Sequence, residues 1–116
     1  KMERLTIYLF PSSCTSKVEY LKDDDKKSLN ERAATVLFDW IKEQLEGKTK
    51  RQFEEKQLLN MHISIIFDEA GAGEMKYWFE SKAMLRALCS EAQKLATSVA
   101  VVVSGTGLTG SELISA

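Results

Sequence analysis

Ile63-Ser64-Ile65-Ile66-Phe67-Asp68-Glu69 is the stretch on which the reading of this chain turns. An apolar run rich in β-branched residues breaks into two adjacent carboxylates, and Ala70-Gly71-Ala72-Gly73 follows at once. A short apolar run closed by glycines predicts a buried strand rather than a helix. Strands of parallel sheets are apolar on both faces because helices cover both. Two carboxylates do not sit unpaired inside such a sheet. They belong just past the strand's carboxyl end, where open α/β sheets hold their ligands.

Size and composition bound the answer. The 116 residues make one domain, with ordinary apolar (44%) and charged (28%) fractions for a globular protein. A formal net charge of -1 gives no global electrostatic case for nucleic acid or a membrane surface. Cys14 and Cys89 are far apart and belong to no CxxC pair, which fits reduced thiols of an intracellular protein, cytoplasmic or nuclear. The longest apolar run, Val99 to Val103, is too short to span a bilayer. A start at Lys1 and an end at Ala116 without a tail predict a piece of a longer protein.

Outward from the central stretch, Leu5 to Phe10 alternates apolar and more polar positions, as an edge strand does, and Pro11 stops it. Ser12 to Lys27, centred on Asp23-Asp24-Asp25, reads as a solvated surface loop. Ser28 and Glu31 fit a capping box. Behind them Leu29, Ala33, Val36, Leu37, Trp40, Ile41 and Leu45 mark the apolar stripe of a helix over 29–46, with Gly47 as its terminator. Lys48 to Arg51 reads as an exposed basic linker, and Phe53, Leu58 and Leu59 as a further short helix. His62, the one histidine, opens the strand at 62–67 and is structural, too far along the strand to act with the acids. Trp78, Leu85, Leu88, Ala92 and Leu95 give a helix over 75–96, with Cys89 a packed thiol. Val99-Ala100-Val101-Val102-Val103 is the most apolar strand and therefore central. The order predicts a three-layer α/β domain with parallel strands near 4–10, 62–67 and 99–104.

The apolar strand ending in Asp68-Glu69 resembles the Walker B element of P-loop ATPases. The polar Ser104 and Thr106, one helix and one strand later, stand where ATPases of the AAA+ and STAND type carry a sensor 1 residue. The resemblance implies that Asp68 orients Mg²⁺, Glu69 is the general base, and Ser104 or Thr106 senses the γ-phosphate. Gly105 and Gly107 would then lie beside the bound ATP. Ser104-Gly105-Thr106-Gly107-Leu108 also looks like the P-loop proteins of the kinetoplastid retrotransposon hot spot and Crinkler-like families.

One departure bears on all of this. No G-x-x-x-x-G-K-[ST] loop is present, and Ser111 stands where Gly105 to Gly110 would require the phosphate-binding lysine. The resemblance therefore implies a fragment of a larger ATPase, inactive or weakly active by itself. Its missing strand, carrying the Walker A loop, would pair on the bare edge of Val99–Val103. Two other readings compete. Gly105-Thr106-Gly107-Leu108-Thr109-Gly110 also matches the dinucleotide fingerprint, which needs a helix next. The alternative is a non-catalytic α/β module that binds protein partners or a second copy of itself.

Overall fold

A computed structural model of the chain describes residues 2–18, 21, 26–53, 59–71, 75–105 and 112–115. Strand β1 (Glu3–Leu9) leads through a 3-10 turn (Pro11–Cys14) and the single-turn α1 (Thr15–Val18) to the long helix α2 (Lys26–Thr49). Then come β2 (Leu59–Phe67), α3 (Met75–Phe79), α4 (Lys82–Gln93), β3 (Ala96–Val103) and β4 (Glu112–Ser115). The sheet order is β1-β2-β3-β4; the first three strands are parallel and β4 runs antiparallel to β3. The parallel α/β character and the central place of β3 match the sequence reading.

The layering differs from it. Ile7, Leu9, Met61, Ile63, Ile65, Phe67, Val99, Val101 and Val103 are buried and share one core with α2, α3 and α4. The alternate residues His62, Ser64, Ile66, Ser98, Ala100 and Val102 are only half-buried, and Tyr8 is 66% exposed. Among the described residues the domain is therefore two layers, with helices on one face of the sheet, and β2 is not apolar on both faces. The strand order explains it. Both crossovers step the same way along the sheet, so a common hand sends both helices to the same side.

Several element bounds move for identifiable reasons. The helix starts at Lys26, so Ser28 lies inside it and the capping box is not its start. Burial of Leu29, Ala33, Leu37, Trp40, Ile41 and Leu45 fixes α2 more than local caps do. Gly47 does not end it. The stop comes at Lys50, in a left-handed conformation (φ 58), whose amide donates to the Glu46 carbonyl at 2.9 Å. The single helix expected over 75–96 is two. Ser81 caps the start of α4, its hydroxyl accepting from the Met84 amide at 3.3 Å and donating to Asn30 Oδ1 on α2 at 3.1 Å. Part of the expected surface loop after Pro11 is ordered as the 3-10 turn and α1, which bury Cys14 and Val18. Asp23 to Asp25 lie outside the described residues, as do 54–58 of the expected short helix, whose Leu59 instead opens β2.

Both flanks of the parallel strands are occupied. β4 pairs with β3 through Ala100↔Ser115 to Val103↔Glu112, so the edge assigned to a missing Walker A strand is already taken. At the other flank the expected basic linker is instead the end of α2 and a clamp on β1. Lys48 Nζ donates to the Thr6 carbonyl, and Arg51 pairs with both carboxylate oxygens of Glu3 at 2.9 and 3.2 Å. Among the described residues no helix is long and apolar enough to cross a membrane.

Both cysteines are free and buried. Burial pushes the Cys14 thiol up from 9.0 to about 11, against smaller opposing effects of its backbone hydrogen bond and Lys17. Burial likewise raises Cys89. The folded chain therefore keeps the Cys14 proton to higher pH than the unfolded chain. That contribution to stability is complete below pH 9.0 and is lost as pH rises towards about 11. Thermal melts between those pH values should fall more steeply for the wild type than for Cys14→Ala. The layering has its own check in urea unfolding. Ile65→Ala should cost about 2–5 kcal/mol, and Ile66→Ala clearly less, whereas a sheet covered on both faces would make them alike.

Candidate functional site

The acids and the serine–glycine turn meet at the carboxyl rim of the parallel sheet. Phe67 and Val103 are in-register neighbours, so Asp68 leaves β2 beside the point where Ser104 leaves β3. Backbone hydrogen bonds carry the sheet past its last paired residues. The Asp68 N–H donates to the Leu9 carbonyl (2.9 Å) and the Ser104 N–H to the Phe67 carbonyl (3.0 Å). The Ala70 N–H then donates to the Ser104 carbonyl (2.9 Å). Ser104 thus holds the chain on both sides of the acid pair.

Glu69 makes the bend between those anchors. Its φ of 54° lies in the left-handed region, which costs a residue with a Cβ roughly 1–2 kcal/mol. Asp68 Oδ1 accepts from the Glu69 N–H at 2.9 Å and so supports the turn from within. Both acids are exposed, while Ala70 behind them is fully buried. Gly105 packs directly on this turn. A Cβ on it would lie 2.7 Å from the Ala70 nitrogen and 2.8 Å from the Gly71 nitrogen. Below the turn Phe67 meets Phe79 edge-on, ring centroids 4.7 Å apart, which fastens α3 under the rim.

Asp68, Glu69, Ser104 and Gly105 are therefore brought together, whereas Thr106 and Gly107 lie outside the described residues. No group of three or more His, Cys, Asp or Glu suited to a metal ion occurs among the described residues. His62 is held away from the rim, within β2, with Nδ1 2.8 Å from Ser98 Oγ and Nε2 3.0 Å from Ser64 Oγ. Those partners satisfy the ring and fit its structural reading. A groove of about 270 Å³ lined by Lys17, Val36, Asp39, Trp40 and Glu43 lies on α1 and α2 and includes no rim residue.

The dinucleotide reading meets a topological objection. Its fingerprint opens a helix, whose N-terminus receives the pyrophosphate and which runs on past the third glycine. Here the next described element is β4, a strand. Sequence reasoning also missed the groups that hold the site, the Leu9 and Ser104 carbonyls and the Ala70 amide. Backbone groups leave no mark in a sequence; the trace is the small residues Ala70, Gly71 and Gly105, which permit the close approach. No protein-family model matches the chain, and no similar curated protein or solved structure is found.

Proposed function

We propose that this rim is the acid-bearing part of a nucleoside triphosphatase of the P-loop type, whose phosphate-cradling loop comes from a segment outside this sequence. The observation that carries the reading is the bond from the Ala70 amide to the Ser104 carbonyl. It ties the turn bearing the two acids to the turn bearing the hydroxyl, at the end of the sheet where α/β proteins bind ligands.

The residues present fit a hydrated Mg²⁺ better than a dedicated cage. Asp68 and Glu69 are exposed carboxylates, and no metal-ligating cluster occurs among the described residues. Mg²⁺ keeps several waters and takes one or two carboxylates plus substrate phosphates, so few protein ligands are needed. In this reading Asp68 would hold the ion, which when bound would supply positive charge to the phosphates. Glu69, exposed at the bend, orients the attacking water and accepts its proton. The Ser104 hydroxyl, or that of Thr106, donates to the γ-phosphate. Gly105 and Gly107 belong to the loop beside the nucleotide. The strand bearing the lysine loop has to displace β4 or join the sheet beyond it.

A second reading rests on the open face of the sheet, where Tyr8, Ile66 and Val102 form one row across β1, β2 and β3. Among the described residues no helix covers this face, which suits a module that takes a protein partner there. Glu69 then has no chemical task, which separates the two readings. In the intact protein Glu69→Gln should keep Mg·ATP affinity within about threefold and lower turnover by about 10²–10⁴-fold. Nucleotide binding by fluorescence and phosphate release measure the two quantities. Unchanged hydrolysis in the variant removes the base role from Glu69. The 116-residue chain alone should release little or no phosphate.

A further inference from the structure

Gly105 stands in the sequence as one more loop glycine, but its surroundings give it a different task. Its bare Cα lies over the acid turn so closely that an added methyl would meet the Ala70 nitrogen at 2.7 Å, the Gly71 nitrogen at 2.8 Å and the Glu69 carbonyl carbon at 3.1 Å. All three are backbone atoms, so no side chain can swing aside; the turn itself must move. That turn is short of freedom in every other direction. Its entry is bound to β1 through the Asp68 amide and the Leu9 carbonyl, and its exit to β3 through the Ala70 amide and the Ser104 carbonyl. The residue between those anchors, Glu69, already holds an unfavourable φ of 54°. Residues held off their preferred backbone persist only where their surroundings over-determine them.

We propose that Gly105 is a positioning residue. By seating the turn after β3 on the 69–71 backbone it keeps Glu69 in its left-handed conformation at the rim, next to the Ala70 amide that bonds Ser104. Displacement of the Ser104–Gly105 turn is thereby transmitted to Glu69, because contact and hydrogen bond join the same two segments. What Glu69 does chemically rests on the nucleotidase reading, whereas its placement by Gly105 does not. The two are tested apart.

Placement is tested on the 116-residue chain with Gly105→Ala, read by the Glu69 amide shift and its HN–Hα coupling in NMR. The expected result is a cooperative fold, a lowered melting temperature and a Glu69 signal moved well beyond the change in β1. A Glu69 signal that stays in place in a folded Gly105→Ala chain overturns the proposal. Glu69→Gly supplies the second arm, since glycine takes the left-handed conformation freely and lets the turn yield. In that background Gly105→Ala should lower the melting temperature by less than half as much as in the wild type. If Gly105→Ala alone does not fold, the Glu69→Gly background should restore folding. Equal loss in both backgrounds, or no restoration, overturns the proposal. The consequence for chemistry is read in the intact protein. There Gly105→Ala should lower kcat for ATP at least tenfold and leave KM within about threefold, a split that general destabilisation would not produce. A wild-type protein without ATPase activity would end the nucleotidase reading and leave the NMR result standing.

Discussion

Everything at the candidate site depends on one constraint, the parallel register of β2 with its two neighbours. Because β1, β2 and β3 run the same way, their last residues end at one rim. Leu9, Phe67 and Val103 close the three strands side by side. The hydrogen bonds made by Asp68, Ala70 and Ser104 are continuations of those ladders into the loops. An antiparallel β2 would send the acids to the other end of the sheet and leave the serine–glycine turn alone. The helices matter chiefly because they hold this register. The α2 stripe and the buried residues of α4 press on the odd-numbered strand residues, and a one-residue slip would expose that whole set.

Much of this architecture is legible in the residues, because it rests on periodicity. The odd-numbered residues of the runs at 63–67 and 99–103, most of the α2 stripe and the stripe ending in Leu95 lie in the core. The alternation of Leu5 to Phe10 correctly marks an edge strand. What periodicity could not supply is the outcome of competition between local and tertiary forces. Ser28 and Gly47 carry good local signals for helix ends, yet α2 runs past both. Ser81 carries an equally good signal, and there the chain obeys it. Nothing local distinguishes the cases.

The number of layers was hidden for another reason. Ile66 and Val102 are as apolar as Ile65 and Val101, so composition alone suggests that both faces are covered. Only the spatial order of the strands decides where the helices go, and order is a property of the whole chain. The candidate acids show the same division. Asp68 and Glu69 announce themselves as a pair after a strand, whereas the left-handed bend at Glu69 does not.

The clamp on β1 has a consequence for association. An outermost strand ordinarily offers its carbonyls and amides to any extended segment that drifts alongside. Here an ammonium group from the end of α2 occupies one such carbonyl, and a guanidinium–carboxylate fork stands guard at the strand's first residue. A visiting chain would have to strip a cation from its seat before the first rung could form. Lateral growth into ribbons from this flank is thus discouraged by charge rather than by bulk, and it should become easier as salt screens those cations.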